Sequence, residues 1–276
     1  MKGYAYYNGQ IGKCDDIKIP LSDRIIFFGD GVYDVMIGHG GKLFMPEEHL
    51  DRLYSNMKYL HIDILLTKKQ ILDLIDNLID LSGYESYSIY ISVSRNHNER
   101  CHSYRPSAST NLLIMINEFS LSSRDGLYLI TEKDRRYYYC NIKTTNLLPA
   151  VLASTKAEDS GCDEAIFHRG NTITECAHSN IFILKNEELV THPKSELILP
   201  GITRGLLIDI AKANHINVCE RPFSLKDLSD ADEVIITSTT KLIKSAKCIN
   251  GKIVKSSGKH LVSALQDDAY QKYVSI

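Results

Sequence analysis

The sequence predicts an α+β protein of two domains with largely antiparallel sheets. Three observations lead there. Short β-like runs alternate with two segments of helical period in the first half. A small, polar stretch, "SLSSRDG" at 120–126, interrupts the pattern near mid-chain. Beyond it, apolar runs separated by Gly-Asn and Asn-Glu turns read as antiparallel strands. A chain of 276 residues is long enough for one large domain or two medium ones. The predicted boundaries are a first domain at 1–119, a linker at 120–126 and a second domain at 127–276.

In the first domain, Asn8-Gly9 lies between two β-like runs and marks a hairpin. "RIIFFGDGVYDVMIGHGGKLF" reads as strand, Gly-rich turn and strand, with Gly40-Gly41 as a second hairpin turn. Pro46 opens a helix that carries Leu50, Leu53, Met57 and Leu60 at helical spacing. Thr67 caps a second helix, lined on one face by Ile71, Leu74, Ile75, Leu78 and Ile79 and followed by Gly83. Two strands, "YSIYISVSR" and "NLLIMINEF", flank a polar loop from Asn96 to Thr110, long enough to suggest a function.

In the second domain, a strand near "LYLITEKD" precedes Lys143. Pro149 sits in the first turn of a helix ending at Gly161. Several strands follow between Asp163 and Pro193, then a loop entering a helix in "LPGITRGLLIDIAKANHI". "DEVIITSTTKLIKSAK" is a buried strand that ends in hydroxyl residues.

A net charge of −2 offers no global basic field for nucleic acid or an anionic membrane. Seven scattered cysteines without a CxxC pair argue against structural zinc or a disulfide framework. Reduced thiols point to a reducing compartment. "MKGYAYYNGQIGK" has no apolar h-region, and no run approaches the ~18 apolar residues of a membrane span. The expected location is the cytoplasm.

Several residues carry potential chemistry. Gly201 lets a ligand approach the backbone ahead of a helix whose first N–H groups, at Ile202 and Thr203, favour an anion; Thr203 as an ordinary cap is the plainer alternative. Thr237, Ser238, Thr239 and Thr240 at a strand end can solvate a phosphate or form a simple polar turn. Arg52 sits beside core-facing leucines and can offer a fork of donors to a phosphate, or pair with Glu48 one turn back. Glu175 lies in an apolar β-rich region, where a carboxylate needs a partner unless it faces outward. Neither a P-loop nor a GxGxxG fingerprint is present. A reactive lysine, a carboxylate and a phosphate cradle without a metal together suit pyridoxal 5′-phosphate (PLP).

The runs "FGDGVYDV", "EEHLDRLY", "NIKTTNLLPAVLA", "TITECAHSNIF", "LPGITRG" and "TSTT" occur in this order. Together they resemble the class IV, or fold type IV, PLP-dependent aminotransferases, from about Tyr4 to the end of the chain. The resemblance implies that Lys143 forms the Schiff base with the cofactor and shuttles the proton between substrate Cα and C4′. It implies that Glu175 pairs with the pyridine nitrogen and that Leu199 packs on the ring. Arg52, Gly201, Ile202, Thr203, Ser238 and Thr239 would form the phosphate site. It also implies a homodimer with active sites near the subunit interface.

Within that family the loop motif Arg100-Cys101-His102 is similar to the R-x-H of D-amino acid aminotransferases. There, the pair reaches over from the partner subunit and joins the tyrosine of GDGVY, here Tyr33, to bind the substrate carboxylate. A guanidinium, an imidazole and a phenol make a charge-assisted trap. The implied reaction is ping-pong transamination between an amino acid of D-alanine or D-glutamate type and a 2-oxo acid. The alternatives on the same fold are a branched-chain L-amino acid aminotransferase and an aminodeoxychorismate lyase; a non-catalytic binding protein is disfavoured by the competent residue types. The chain departs from the pattern at Ile25, where glycine is usual, at Cys176-Ala177-His178 in place of small hydroxyl residues, and at Tyr137–Tyr139. Those positions bear on substrate choice rather than on reaction class.

Overall fold

The computed structural model describes residues 3–96, 100–104, 110–122 and 126–276. The predicted loop over 96–109 and linker over 120–126 therefore lie partly outside the described residues, at 97–99, 105–109 and 123–125. The chain divides into two compact units. The first comprises residues up to Ser120 with Lys143–Asn146 and Ile276; the second comprises Leu121–Ile142 and Leu147–Ser275.

In the first unit, Asn8 and Gly9 take positive φ and turn β1 (Tyr4–Tyr7) into β2 (Gln10–Lys13). Residues 24–28, predicted as a strand, instead form a short helix, α1 (Arg24–Phe28). The Asp23 carboxylate accepts from the Ile25 N–H, and Gly29 closes the turn in the left-handed region at φ 58°. Those two end signals outweigh the β propensity of Ile-Ile-Phe-Phe. Then come β3 (Gly31–His39), β4 (Lys42–Leu43), α2 (Pro46–Tyr59), α3 (Lys68–Ser82), β5 (Ser86–Arg95) and β6 (Thr110–Glu118). Thr67 and Gln70 exchange hydrogen bonds as a capping box at the start of α3.

The sheet order is β2-β1-β6-β5-β3-β4, antiparallel throughout. Helix α2 packs on β3, and α3 packs on β1 and β6. Leu50 and Leu53 of α2 and Ile71, Ile75 and Leu78 of α3 are wholly buried. Each such side chain contributes roughly 1.5–3 kcal/mol relative to exposure.

The second unit contains β7 (Leu127–Lys133), α4 (Leu148–Asp159), β8 (Glu164–Arg169), β9 (Thr172–Cys176), β10 (Asn180–Lys185) and β11 (Glu188–Thr191). It continues through α5 (Ile202–Ala213), β12 (Asn217–Glu220), α6 (Leu225–Asp230), β13 (Glu233–Ser238), β14 (Leu242–Ile249), β15 (Lys252–Ile253) and α7 (Lys259–Val274). Its sheet runs β12-β11-β10-β13-β14-β7-β8-β9, with β15 beside β14. The pairs β11–β12, β14–β7 and β7–β8 are parallel, so this sheet is mixed rather than antiparallel. The β7–β8 pair is parallel because helix α4 connects its strands and returns the chain to the starting edge. Ile166, Ile181, Ile183, Val190, Val234 and Ile236 form the core of this sheet.

The lysine stretch was expected in the second domain but packs with the first unit. Thr144 bridges to Val32 of β3, the Tyr33 N–H donates to the Lys143 carbonyl at 2.9 Å, and the Thr145 N–H donates to the Gly31 carbonyl at 3.1 Å. A few residues thus extend the β3 edge, although more than a hundred positions separate them in sequence.

Candidate active site

In the first unit, β3 places Tyr33 against the lysine. Lys143 Nζ lies 4.4 Å from the Tyr33 ring centroid. The Tyr33 ring is itself stacked on Tyr90, centroids 5.4 Å apart. An aromatic face is a natural seat for an ammonium, so the two rings fix where the Lys143 nitrogen sits. Thr145 Oγ1 donates to the Gly29 carbonyl at 2.7 Å and Asn146 Nδ2 to the same carbonyl at 2.8 Å. Their side chains anchor the lysine stretch on the turn before β3.

The next residue, Asp34, points to the opposite face of β3, beneath α2. Its wholly buried carboxylate accepts from Arg52 Nε at 2.8 Å and Nη2 at 2.7 Å, and lies 2.8 Å from His49 Nδ1. Burial alone would raise this carboxyl; the Arg52 charge and the His49 contact outweigh it and hold Asp34 well below the usual carboxylate range. The recognised partner of Arg52 is thus Asp34 and not Glu48.

Arg100 and His102 lie in the same unit, packed on α1. The Arg100 guanidinium is 5.7 Å from the Phe27 ring and 5.4 Å from the Phe28 ring, and the His102 ring is 5.3 Å from Phe28. Within one chain the described contacts bring this pair to the phenylalanines, whereas Tyr33 meets Lys143 and Tyr90.

In the second unit, Glu175 on β9 is buried rather than outward-facing. One carboxylate oxygen accepts from Arg136 Nη1 at 2.5 Å. The other accepts from Asn180 Nδ2 at 3.0 Å and from the Leu199 N–H at 3.0 Å. Burial nevertheless pushes the carboxyl up to about 7, against the pull of Arg136 and the Leu199 amide. Asn180 Nδ2 also donates to the Leu199 carbonyl at 2.8 Å, which ties the strand of Glu175 to the loop before α5.

Gly201 is the N-cap of α5, with no side-chain hydrogen bond at that cap. The helix begins at Ile202, and Thr203 is buried in its first turn. A Cβ on Gly201 would lie 2.0 Å from Asn180 Oδ1, so glycine is required there by crowding. Helix α5 packs on β13, whose end carries Ser238 and then Thr239. The hydroxyls of Thr237 and Ser238 are buried without a hydrogen-bond partner. A buried hydroxyl left unsatisfied is costly and marks a place where a further acceptor belongs.

Arg136 and Glu164 were not singled out in the sequence. Arg136 binds Asp134 through Nε at 3.0 Å and Nη2 at 3.1 Å and lies over the Phe167 ring, so Asp134 holds the guanidinium against Glu175. Nothing in "EKDRRYYYC" distinguishes Arg136 from its neighbours; a charged pair directly after a β-run was the available signal. The wholly buried Glu164 accepts from Lys241 Nζ at 2.7 Å, Ser179 Oγ at 2.8 Å and the His178 N–H at 3.0 Å. It joins the turn after Glu175 to the turn after Ser238 and Thr239. His178 thereby acquires a partner, its Nδ1 lying 3.1 Å from Glu164 while half of its side chain stays exposed. Tyr137, Tyr138 and Tyr139 are exposed, with Tyr138 beneath the Arg169 guanidinium.

The donor set fits PLP. An uncapped helix start and an unsatisfied buried hydroxyl on the neighbouring strand suit a phosphate. A buried carboxylate pinned by three donors suits a protonated ring nitrogen. A half-buried lysine seated on an aromatic face suits the aldehyde.

Comparison with known proteins agrees with this chemistry. The pattern of the class IV amino-transferase family matches residues 31–248. The D-alanine aminotransferase of Listeria monocytogenes is 38% identical over 250 residues, covering 88% of this chain and 86% of that protein. The D-alanine aminotransferase of Staphylococcus epidermidis is 32% identical over 275 residues, covering 98% and 97%. The branched-chain amino acid aminotransferase of Escherichia coli superposes with a TM-score of 0.91 at 22% identity, over 99% of this chain and 95% of that one. A putative 4-amino-4-deoxychorismate lyase from Legionella pneumophila superposes with a TM-score of 0.83 at 24% identity, over 92% and 96%. The two structural likenesses are likenesses of fold. Because the family pattern spans most of the chain and the relatives named here share about a third of its residues, the protein belongs to the class IV aminotransferases, PLP-dependent enzymes of fold type IV.

Proposed function

We propose that this aminotransferase moves the amino group between a D-amino acid of the alanine or glutamate class and a 2-oxo acid. The observation that carries the reading is the seat of Lys143 on Tyr33, which puts a base beside the tyrosine of the carboxylate trap. The D-hand is supported by the Arg100-x-His102 motif and by relatives that act as D-alanine aminotransferases.

Each residue then has a task. Tyr33, Arg100 and His102 bind the substrate carboxylate. Arg52, the first N–H groups of α5 at Ile202 and Thr203, and the Ser238 and Thr239 hydroxyls hold the cofactor phosphate. Gly201 would leave that approach clear, and Leu199 would pack on the ring. Glu175, steadied by Arg136 and Asn180, would pair with the ring nitrogen. When bound, PLP draws electrons from the substrate Cα and makes its proton acidic. Lys143 Nζ takes that proton, holds it and returns it; general base catalysis of this kind is worth roughly a hundred- to ten-thousand-fold.

The working unit of this reading is a homodimer in which the 96–109 loop serves the neighbouring active site. Exposed apolar side chains support it: Ile26 and Phe27 on α1, and Leu148, Val151 and Leu152 along one side of α4. A sedimentation experiment returning an active monomer would contradict the dimer. The cytoplasm is the compartment we assign, on the strength of seven cysteines of which none forms a disulfide. Among the described residues, no helix is long and apolar enough to cross a membrane.

The test is spectral. D-alanine or D-glutamate should bleach the yellow PLP enzyme, and a 2-oxo acid should restore the colour. Bleaching by L-leucine or L-valine alone would make it a branched-chain enzyme. Product release from a single substrate, with no need for a 2-oxo acid, would make it a lyase.

A further inference from the structure

We infer that Arg24, together with Phe28, is a positioning residue for the carboxylate trap: the two fix the backbone of the Arg100–His102 segment and the side chains of Arg100 and His102. The inference rests on the trap assigned to Arg100 and His102 under the proposed function.

Arg24 is 4% exposed, and each arm of its guanidinium is engaged. Nε donates to Asp30 Oδ2 at 2.7 Å, Nη1 to the Cys101 carbonyl at 2.6 Å and Nη2 to the His102 carbonyl at 3.1 Å. Two of these go to consecutive peptide carbonyls inside the motif itself. Residues 100–104 belong to no helix or strand, so they lack the ladder that positions Tyr33 or Glu175. A buried cation that gives two donors to such a segment supplies the missing order.

Phe28 is the platform beneath the same segment. Its ring lies 4.6 Å from the Arg24 guanidinium, 5.4 Å from that of Arg100 and 5.3 Å from the His102 ring. The far side is held as well. Asp30, which anchors Arg24, also accepts from Arg95 Nε at 3.1 Å, and the Arg95 guanidinium stacks 3.7 Å from the Tyr104 ring. The short helix α1 makes this possible: the Asp23 cap and the left-handed Gly29 set one turn that aims Arg24 and Phe28 at the loop.

The chemistry demands such support. A bidentate recogniser of a carboxylate works only if its donors are held to about half an ångström. Lysine at position 24 would keep the charge opposite Asp30 but cannot fork to two carbonyls. The loss should therefore fall on carboxylate recognition and leave the remaining chemistry largely intact.

The experiment compares the PLP-loaded wild-type enzyme with Arg24→Lys, Phe28→Leu and Arg100→Ala, using D-alanine and D-alaninamide, which lacks the carboxylate charge. Arg24→Lys should raise the KM for D-alanine at least tenfold with kcat within about threefold, and should leave kcat/KM for D-alaninamide within about twofold of wild type. Phe28→Leu should move in the same direction. Arg100→Ala should raise the D-alanine KM at least as far. If Arg24→Lys and Phe28→Leu keep the wild-type KM for D-alanine while Arg100→Ala loses it, the positioning role is wrong. If both substrates fall together in both variants, the residues only support the fold, and the inference is overturned. If Arg100→Ala itself leaves D-alanine unaffected, the trap fails and the reading beneath it goes first.

Discussion

Arg52 Nε and Nη2 meet the two carboxylate oxygens of Asp34 at 2.8 and 2.7 Å, and the Asp34 side chain is wholly buried. A paired charge at this depth is tolerated only because both members are satisfied. Asp34→Asn would leave the Arg52 charge buried without its counter-ion. We expect a loss of about 3–5 kcal/mol, measured by urea unfolding. The sign of the pH effect follows from the direction of the shift. Asp34 is held below the ordinary carboxylate range. Its contribution is complete above the unfolded carboxyl value, near ~4, and fades as pH falls below it. The variant should lack that acid limb.

Glu175 predicts the opposite slope in the cofactor-free protein. Burial lifts its carboxyl from an ordinary 4.5 to about 7. The contribution is therefore full below the unfolded value, declines as pH rises to about 7 and is flat beyond. The span corresponds to roughly 3 kcal/mol. Apo wild type should lose about that much more than apo Glu175→Gln between pH 4 and pH 8. Parallel pH profiles for the two would show that the Arg136 charge offsets the burial and leaves Glu175 with no net shift between the folded and unfolded states.

Gly201→Ala should act at a distance from its own position. The new Cβ would meet Asn180 Oδ1 at 2.0 Å, and Asn180 links Glu175 to the Leu199 carbonyl. Overpacking of this kind costs about 1–3 kcal/mol. Displacing Asn180 also frees Glu175, so equilibrium dialysis should show weaker PLP retention than in a control such as Gly205→Ala in the same helix, where a Cβ meets nothing.

Lys241 and Glu164 should couple. Lys241 Nζ reaches the buried Glu164 at 2.7 Å while remaining 20% exposed. A double-mutant cycle with Lys241→Met and Glu164→Gln should return an interaction of about 1–2 kcal/mol. Additive losses would reduce the contact to a solvated pairing.

Helices α2 and α3 were legible because a 3.6-residue apolar period, a Pro start and the Thr67–Gln70 cap all act locally. The hairpin turns were legible for the same reason: Asn8-Gly9, Gly40-Gly41 and Asn186-Glu187 all take positive φ. Helix α1 was not, because its cap signals span one turn and compete with four β-favouring residues. The parallel pairs β14–β7 and β7–β8 were also hidden, since strand direction depends on which edge the chain returns to. In the candidate site, residue types such as Lys143, Glu175 and Gly201 stood out as candidates, while their partners did not. Asp34 for Arg52, Arg136 for Glu175 and Arg24 for the 100–102 loop are contacts across 18, 39 and 77 positions or more. No local pattern records such pairings.

We propose Lys143 as the lysine that reacts. Borohydride reduction of the PLP-loaded enzyme, followed by digestion and mass analysis of its peptides, tests it directly. One phosphopyridoxyl-bearing peptide is expected, modified at Lys143, and none in a Lys143→Ala variant that still binds PLP. A label on any other lysine, or an unlabelled protein that turns over D-alanine, would contradict it.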